Sequence, residues 1–257
     1  NVILGKKTTT LWGEDAIEDT IGGIRYRISP QSFYQVNPVQ TEKLYRTALE
    51  FADIKPGETV WDLYCGIGTI SLFIAKELGS AGEVIGVEIV PEAIENAKEN
   101  ARRNNITNAR FYAGAAEEVV PKLISADGSE SAKADVVVVD PPRKGCDQTL
   151  LDTVVRMSPN RIVYVSCDPA TLARDVKVLA AKGYEVKKVR TCDMFPMGGH
   201  VESVVKLSLK KDTPKIEVTM KPDEESNYTP EEKATYPKIK EYVKVSKDQK
   251  EQNKQEL

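Results

Sequence analysis

Val136-Val137-Val138-Val139 has no polar face. A strand with one side in water alternates apolar and polar residues, so a run without alternation is buried on both faces. Ile162-Val163-Tyr164-Val165 repeats the pattern, and Val84-Ile85-Gly86-Val87 follows it closely. Segments with helical spacing separate these runs. Doubly buried strands that alternate with helices predict an α/β fold, with a mostly parallel sheet covered by helices on both faces.

Read along the chain, the pattern predicts strands over 59–63, 84–87, 110–112, 136–139 and 162–165. Helices are predicted over 69–78, 91–104, a stretch ending near 124, 148–157 and 169–182. Strands around 186–189 and 201–207 follow one another directly, which predicts an antiparallel strand at one edge. Ahead of the alternation, Asn37 is a helix cap with Pro38 in the first position. Leu44, Ala48, Leu49 and Ala52 give that helix an apolar side, and it ends near Lys55-Pro56-Gly57.

Residues 1–36 read as strands and turns. Thr8 to Gly13 and Gly22 to Ile28 are β-like runs broken by glycine. We take them as the remnant of a preceding β-rich domain, since the chain starts at Asn1 without an initiator Met. The catalytic domain is expected over 37–208. Asp127 to Lys133 reads as a polar loop. From 209 to 257 the composition becomes a charged tail, expected to be partly disordered, with Pro230 to Val245 as one possible amphipathic helix.

Composition excludes several classes. No window approaches the ~18 apolar residues of a membrane helix. Cys65, Cys146, Cys167 and Cys192 are scattered, which gives neither a zinc pattern nor a disulfide framework. A cytoplasmic monomer is expected. The net charge of -3 argues mildly against nucleic acid but leaves room for a local basic groove or for an RNA-binding module ahead of this sequence.

Asp62-Leu63-Tyr64-Cys65-Gly66-Ile67-Gly68-Thr69 lies between the first strand of the alternation and its helix. Two glycines let the backbone turn tightly and approach a ligand. Glu88 closes the next strand, where a carboxylate accepts hydrogen bonds from ribose hydroxyls. A nicotinamide enzyme is a rival here, but the third glycine of a dinucleotide fingerprint is missing. These residues resemble the class I S-adenosylmethionine-dependent methyltransferases. The resemblance implies S-adenosyl-L-methionine as cofactor and S-adenosyl-L-homocysteine as product. Gly66 and Gly68 would pass the methionine portion, Tyr64 would line the pocket and Glu88 would hold the ribose, with Asp62 supporting the loop. Ala115 stands where many such enzymes carry an acidic adenine contact, so that contact is unassigned.

Three more segments narrow the class. The 136–139 strand runs into Asp140-Pro141-Pro142-Arg143-Lys144-Gly145, and the 162–165 strand into Ser166-Cys167-Asp168-Pro169. Met194-Phe195-Pro196 leads to His200-Val201-Glu202. Together with Ser32-Phe33-Tyr34-Gln35-Val36-Asn37, these resemble the uracil-5 methyltransferases of ribosomal and transfer RNA, over about 1–207. The resemblance implies a covalent mechanism. Carbon 5 of uracil is a poor nucleophile until a thiolate adds at carbon 6. Cys167 would be that nucleophile, and Glu202 the base that removes the carbon-5 proton. Asp140 would face the uracil ring nitrogens and the cofactor, and Gln35 would contact both substrate and cofactor. Arg143 and Lys144 are candidates for RNA phosphates, and His200 for a positioning role.

The implied target is a uridine in structured RNA, with 23S ribosomal RNA favoured over tRNA. Many family members carry an iron–sulfur cluster held by four cysteines in an N-terminal region. This sequence has no such quartet, and no metal or cluster is expected in it. Each assignment has a plainer alternative: Cys167 as a small buried hydrophobe, Asp140 as a turn cap, Glu202 as a solvated strand residue. The rival functions are a tRNA uracil-5 enzyme, an RNA cytosine-5 methyltransferase, and a non-catalytic RNA-binding module of the same fold.

Overall fold

The computed structural model describes residues 8–126 and 134–210. The expected 127–133 loop, the first residues and nearly all of the charged tail, including Pro230 to Val245, lie outside the described residues. Two sheets form. A hairpin joins β1 (Ile17–Ile21) to β2 (Ile24–Ile28), and the main sheet has seven strands. Its elements in chain order are α1 (Pro38–Ala52), β3 (Thr59–Asp62), α2 (Thr69–Leu78), β4 (Glu83–Glu88), α3 (Pro91–Arg103), β5 (Ala109–Ala113) and α4 (Ala116–Ala126). There follow β6 (Val136–Val139), α5 (Gln148–Met157), β7 (Arg161–Ser166), α6 (Pro169–Ala181), β8 (Tyr184–Cys192) and β9 (Glu202–Leu209).

The strand order is β5-β4-β3-β6-β7-β9-β8. Five strands run parallel, and β9 is antiparallel to both of its neighbours. The reversed strand is therefore one place in from the edge, not at it. The edge is β8, whose outer residues include Lys187, Lys188 and Arg190. Charged side chains of this kind keep an open strand from pairing with another chain. Chain order reverses between β3 and β6, so the loops after these two strands diverge and leave a crevice at their carboxyl ends.

Two cores follow from the period of two along each strand. Val60, Val84, Val136, Val138, Val163 and Val165 pack on the side of α1, α2, α3 and the hairpin. Trp61, Ile85, Val137, Val139, Ile162 and Tyr164 pack on the side of α4, α5 and α6. All four valines of β6 are buried, as a strand with helices on both faces requires. Asn37 caps α1 through Oδ1, which accepts from Gln40 N at 3.2 Å, and Pro38 opens the helix as expected.

The N-terminal region departs from expectation. Thr8 to Gly13 forms no strand, and Leu11 and Trp12 are almost fully exposed. The strand that pairs with β2 is instead 17–21, through the two-residue turn Gly22-Gly23, both at positive φ. Such turns match the twist of a hairpin and favour glycine. A Cβ on Gly22 would also lie 2.3 Å from the Phe73 ring.

The hairpin's free edge is finished by side chains of α3. Asn104 accepts from Arg25 N at 2.9 Å and donates to Arg25 O at 2.7 Å. Asn100 does the same for Arg27, at 2.8 and 3.3 Å, and also donates to Ile67 O at 3.3 Å. Helix positions four apart lie on one face, and strand positions two apart share an edge, so two carboxamides stand in for a missing strand. Asn100 is fully buried. Asn100→Ala strands one N–H and two carbonyls, and a buried unsatisfied polar group costs about 1–3 kcal/mol. Urea denaturation of the variant should show a loss of at least about 1 kcal/mol with an unchanged slope. An unchanged midpoint would mean that water replaces the side chain without cost.

Candidate active site

The crevice beside β3 and β6 is a cavity of about 840 Å³. Gln35, Tyr64, Gly66, Glu88, Asp140, Cys167 and Glu202, seven of the eight residues singled out from the sequence, line it. Gly68 does not. Its φ of 81° turns the chain into α2, and a Cβ there would meet Ala97 Cβ and the Phe111 ring at 3.2 Å. Gly68 therefore lets the loop pack closely on α3 and β5, and only Gly66 faces the open space.

The strand period explains why the reactive groups share this space. Asp62 continues the row of Val60, Asp140 that of Val136 and Val138, and Cys167 that of Val163 and Val165. All four rows, including that of Glu202 and Val204, face the α1–α3 layer. Glu202 begins β9, and because β9 is reversed its first residue lies level with the carboxyl ends of β6 and β7. The β7–β9 register pairs Ser166 with Ser203. The next residue outward is Cys167 after β7 and Glu202 at the start of β9, so both stand at the same end of the ladder, and Glu202 is near enough to raise the Cys167 thiol.

At the other end, Glu88 bridges two loops. Its Oε2 accepts from Gly66 N at 3.2 Å and its Oε1 from Val90 N at 3.0 Å. Gly66 has a φ of 53°, and no atom lies within 4 Å of where a Cβ would be, so the backbone is bare toward the cavity. Asp62 accepts from Ser71 Oγ at 2.6 Å through Oδ2, which ties the loop to α2. Its Oδ1 is buried without a hydrogen-bond partner. Gly114, Ala115 and Glu117 close this end of the cavity, beyond Glu88.

Carboxyls crowd the reactive end. Burial pushes Asp62 up to about 6. Burial, reinforced by Glu202 and Asp62, pushes Asp140 up to about 7. Glu202 is raised by burial, against the pull of Arg143. The Cys167 thiol is raised by burial, then by Glu202 and Asp140, again with Arg143 opposing. Like charges this close cannot all ionise, so the cluster retains protons near neutrality. A half-exposed thiol held in reserve beside proton acceptors is an arrangement for nucleophilic addition followed by proton removal.

The other candidate residues separate cleanly. Cys65 is buried in the core with its thiol pushed well up by burial, although the residue borders the cavity. Cys146 is buried, and its thiol is pushed up to about 12. Cys192 packs beside Gln40 and Met194. His200 is exposed on the connection between β8 and β9 and does not line the cavity. Arg143 and Lys144 sit exposed on the rim. Tyr45 escaped sequence reasoning because its place on the apolar side of α1 reads as core. It is buried, edge-on to Phe73 at 5.7 Å, and also borders the cavity. Phe33, Ile89 and Phe195 border it too, on loops where no periodicity signals a role.

The raised value at Asp140 has a consequence for stability. Its folded value near 7 lies above the ordinary 3.8, so between the two the native state holds a proton that the unfolded chain has lost. Stability from this group is present below about 4 and is lost as pH rises toward 7. Asp140→Asn should therefore raise the melting temperature at pH 8, and the gain should shrink as pH approaches 4. Calorimetry at pH 8 and pH 5 decides it, and a variant less stable at pH 8 would show that the charge is compensated.

Comparison with known proteins places the chain in a family. An uncharacterised RNA methyltransferase of Listeria innocua is 57% identical over 82% of this chain and 45% of its own length. Another, of Halalkalibacterium halodurans, is 58% identical over 82% of this chain and 44% of its own. The chain thus spans less than half the length of these relatives. Among solved structures, the tRNA (uracil-54, C5)-methyltransferase of Pyrococcus abyssi in complex with S-adenosyl-L-homocysteine superposes with a TM-score of 0.63. It is 36% identical, over 76% of this chain and 45% of that one. A family profile described as tRNA (uracil-5-)-methyltransferase matches residues 6–210, a span that holds both sheets and every cavity residue named above, and the chain therefore belongs to that family.

Proposed function

We propose that this chain methylates carbon 5 of uracil in structured RNA, using S-adenosyl-L-methionine, through a covalent bond between Cys167 and carbon 6. The observation that carries the reading is that Cys167 and Glu202, one step beyond the Ser166–Ser203 pair, line the same cavity as Gly66 and Glu88. Family membership and the ligand named with the Pyrococcus abyssi relative support it.

The residues fit the cofactor. Glu88 offers a carboxylate to ribose hydroxyls, Gly66 leaves its backbone bare, and the unpartnered Oδ1 of Asp62 is a buried acceptor for a donor from the ligand. When bound, S-adenosyl-L-methionine supplies an electrophilic methyl group. Cys167, its proton passed to a neighbouring carboxylate, adds to carbon 6 and turns the ring into an enolate whose carbon 5 bonds to that methyl group. Asp140 and Gln35 orient the base. Glu202 then removes the carbon-5 proton, the double bond reforms, and the carbon–sulfur bond breaks. A uridine reaches this cavity only by leaving its stack.

We retain 23S ribosomal RNA as the target. A tRNA uridine is the second reading, favoured by the substrate named for the family and for the Pyrococcus abyssi relative. Methylation of unmodified transcripts of each RNA separates the two.

Three substitutions test the proposed roles. Cys167→Ala should abolish both methylation and covalent attachment to RNA, whereas Glu202→Gln should accumulate a protein–RNA adduct that survives a denaturing gel. An adduct formed by Cys167→Ala, mapped to Cys65 or Cys146, would overturn the nucleophile assignment. Normal turnover by Glu202→Gln would move the base elsewhere. Glu88→Ala should fold and lose about 1.5–3 kcal/mol of cofactor affinity, the worth of a hydrogen bond to a charged group. Titration calorimetry with S-adenosyl-L-methionine tests this, and an unchanged Kd removes Glu88 from the site.

A further inference from the structure

The loop that follows Asp140 is held almost entirely by the helix that follows Cys167. Thr171 Oγ1 donates to Arg143 O at 3.0 Å. Arg174 Nη2 donates to Lys144 O at 2.9 Å and to Cys146 O at 3.0 Å. Asp175 Oδ2 accepts from Cys146 N at 2.8 Å and from the Tyr164 hydroxyl at 2.6 Å, while its Oδ1 accepts from Arg174 Nε at 2.7 Å. Five of these six bonds thus involve either the loop backbone or the ion pair that holds it. Asp175 is fully buried, and Arg174 keeps about half of its side chain in solvent.

An ion pair with only its carboxylate buried is weak evidence for stability, because desolvation of Asp175 offsets much of the attraction. Its geometry, however, suits a clamp. A planar guanidinium can meet a carboxylate and two carbonyls at once, which an ammonium cannot do in a fixed orientation. The loop is shaped to receive it. Gly145 has a φ of 73°, and a Cβ there would lie 2.6 Å from both Arg174 Nη2 and Asp175 Oδ2. The helix itself is anchored at its start, where Asp168 Oδ1 accepts from Ala170 N and Thr171 N at 2.9 and 3.0 Å. A single rigid element therefore carries the nucleophile's loop at its end and grips the Asp140 loop with its first two turns.

We propose that Arg174 and Asp175 are positioning residues that lock the 140–146 loop to α6, so that Asp140 and Cys167 keep one fixed geometry across the cavity. The proposal rests on the function proposed above for the effect on methylation, and on geometry alone for the effect on Cys167.

The test uses the full-length protein with Arg174→Ala, Arg174→Lys and Thr171→Val, the last a near-isosteric change that removes the loop contact to Arg143 O and the Oγ1 bonds to Asp168 and spares the Arg174–Asp175 pair. Three quantities are measured: single-turnover methylation of unmodified 23S rRNA and tRNA transcripts, calorimetric affinity for S-adenosyl-L-methionine, and the pH midpoint of Cys167 alkylation by iodoacetamide without RNA. Misplacement of a reacting group by about 1 Å can cost about 100-fold. Arg174→Ala should lose about 10- to 100-fold in single-turnover rate with cofactor affinity unchanged, Arg174→Lys should recover part of it, and Thr171→Val should fall between Arg174→Ala and the unmutated protein. The alkylation midpoint should shift in Arg174→Ala, because Asp140, which raises the thiol, and Arg143, which lowers it, both ride on the released loop. Folded variants with an unchanged midpoint and unchanged rate would overturn the clamp, as would a rate loss matched by equal loss of cofactor affinity. If the unmutated protein methylates neither RNA, the functional reading falls and the alkylation midpoint alone decides the clamp.

Discussion

Hydrogen bonds between β7 and β9 set the distance between a thiol and a carboxylate, and the site depends on that ladder more than on any one side chain. Side chains alternate along a strand, so a slip of one residue would send Glu202 to the opposite face, among the residues that pack on α4 to α6. Several contacts hold the register. Val204, Val205 and Leu207 are buried, Val204 in the core on one side of the sheet and the other two on the opposite side. Asn37 Nδ2, from the cap of α1, donates to Met194 O at 2.8 Å at the start of the connection that leads into β9. The same asparagine thus starts a helix and ties down the connection that leads to Glu202.

The cofactor end is built by a second set of constraints, and these come from the hairpin. Tyr26 donates to Thr69 O at 3.0 Å, and Asn100 joins Arg27 to Ile67 O. The glycine loop is thereby held between α2, α3 and β2. A β segment that precedes the sheet in sequence belongs mechanically to the cofactor loop, and its buried residues Ile21, Ile24, Tyr26 and Ile28 join the core beneath α1 to α3.

Much of this was legible in the sequence. The doubly apolar runs located the central strands, the cap and proline at Asn37-Pro38 located α1, and α2, α3, α5 and α6 begin where the alternation placed them. Residue chemistry at strand ends pointed to Cys167, Asp140 and Glu88, because ligands collect where parallel strands stop. What escaped was whatever depends on pairing partners. Thr8 to Gly13 has strand-like composition but no strand beside it, while 17–21 is polar enough to look like a turn until β2 offers its edge. The inward reversal of β9 could not be read from two consecutive strands, which are equally compatible with an edge. Gly68 resembled a ligand contact because the glycine spacing is the same whether the missing side chain makes room for a cofactor or for Phe111.

The carboxylates around Cys167 bear on more than the order of proton transfers. Peroxide and related oxidants attack the thiolate and scarcely touch the thiol. A nucleophilic cysteine that borders an open cavity is normally exposed to irreversible conversion to sulfinic acid whenever it waits for substrate. Burial, then Glu202 and Asp140, raises the Cys167 thiol above its ordinary value, which moves it further toward the form that such oxidants scarcely touch.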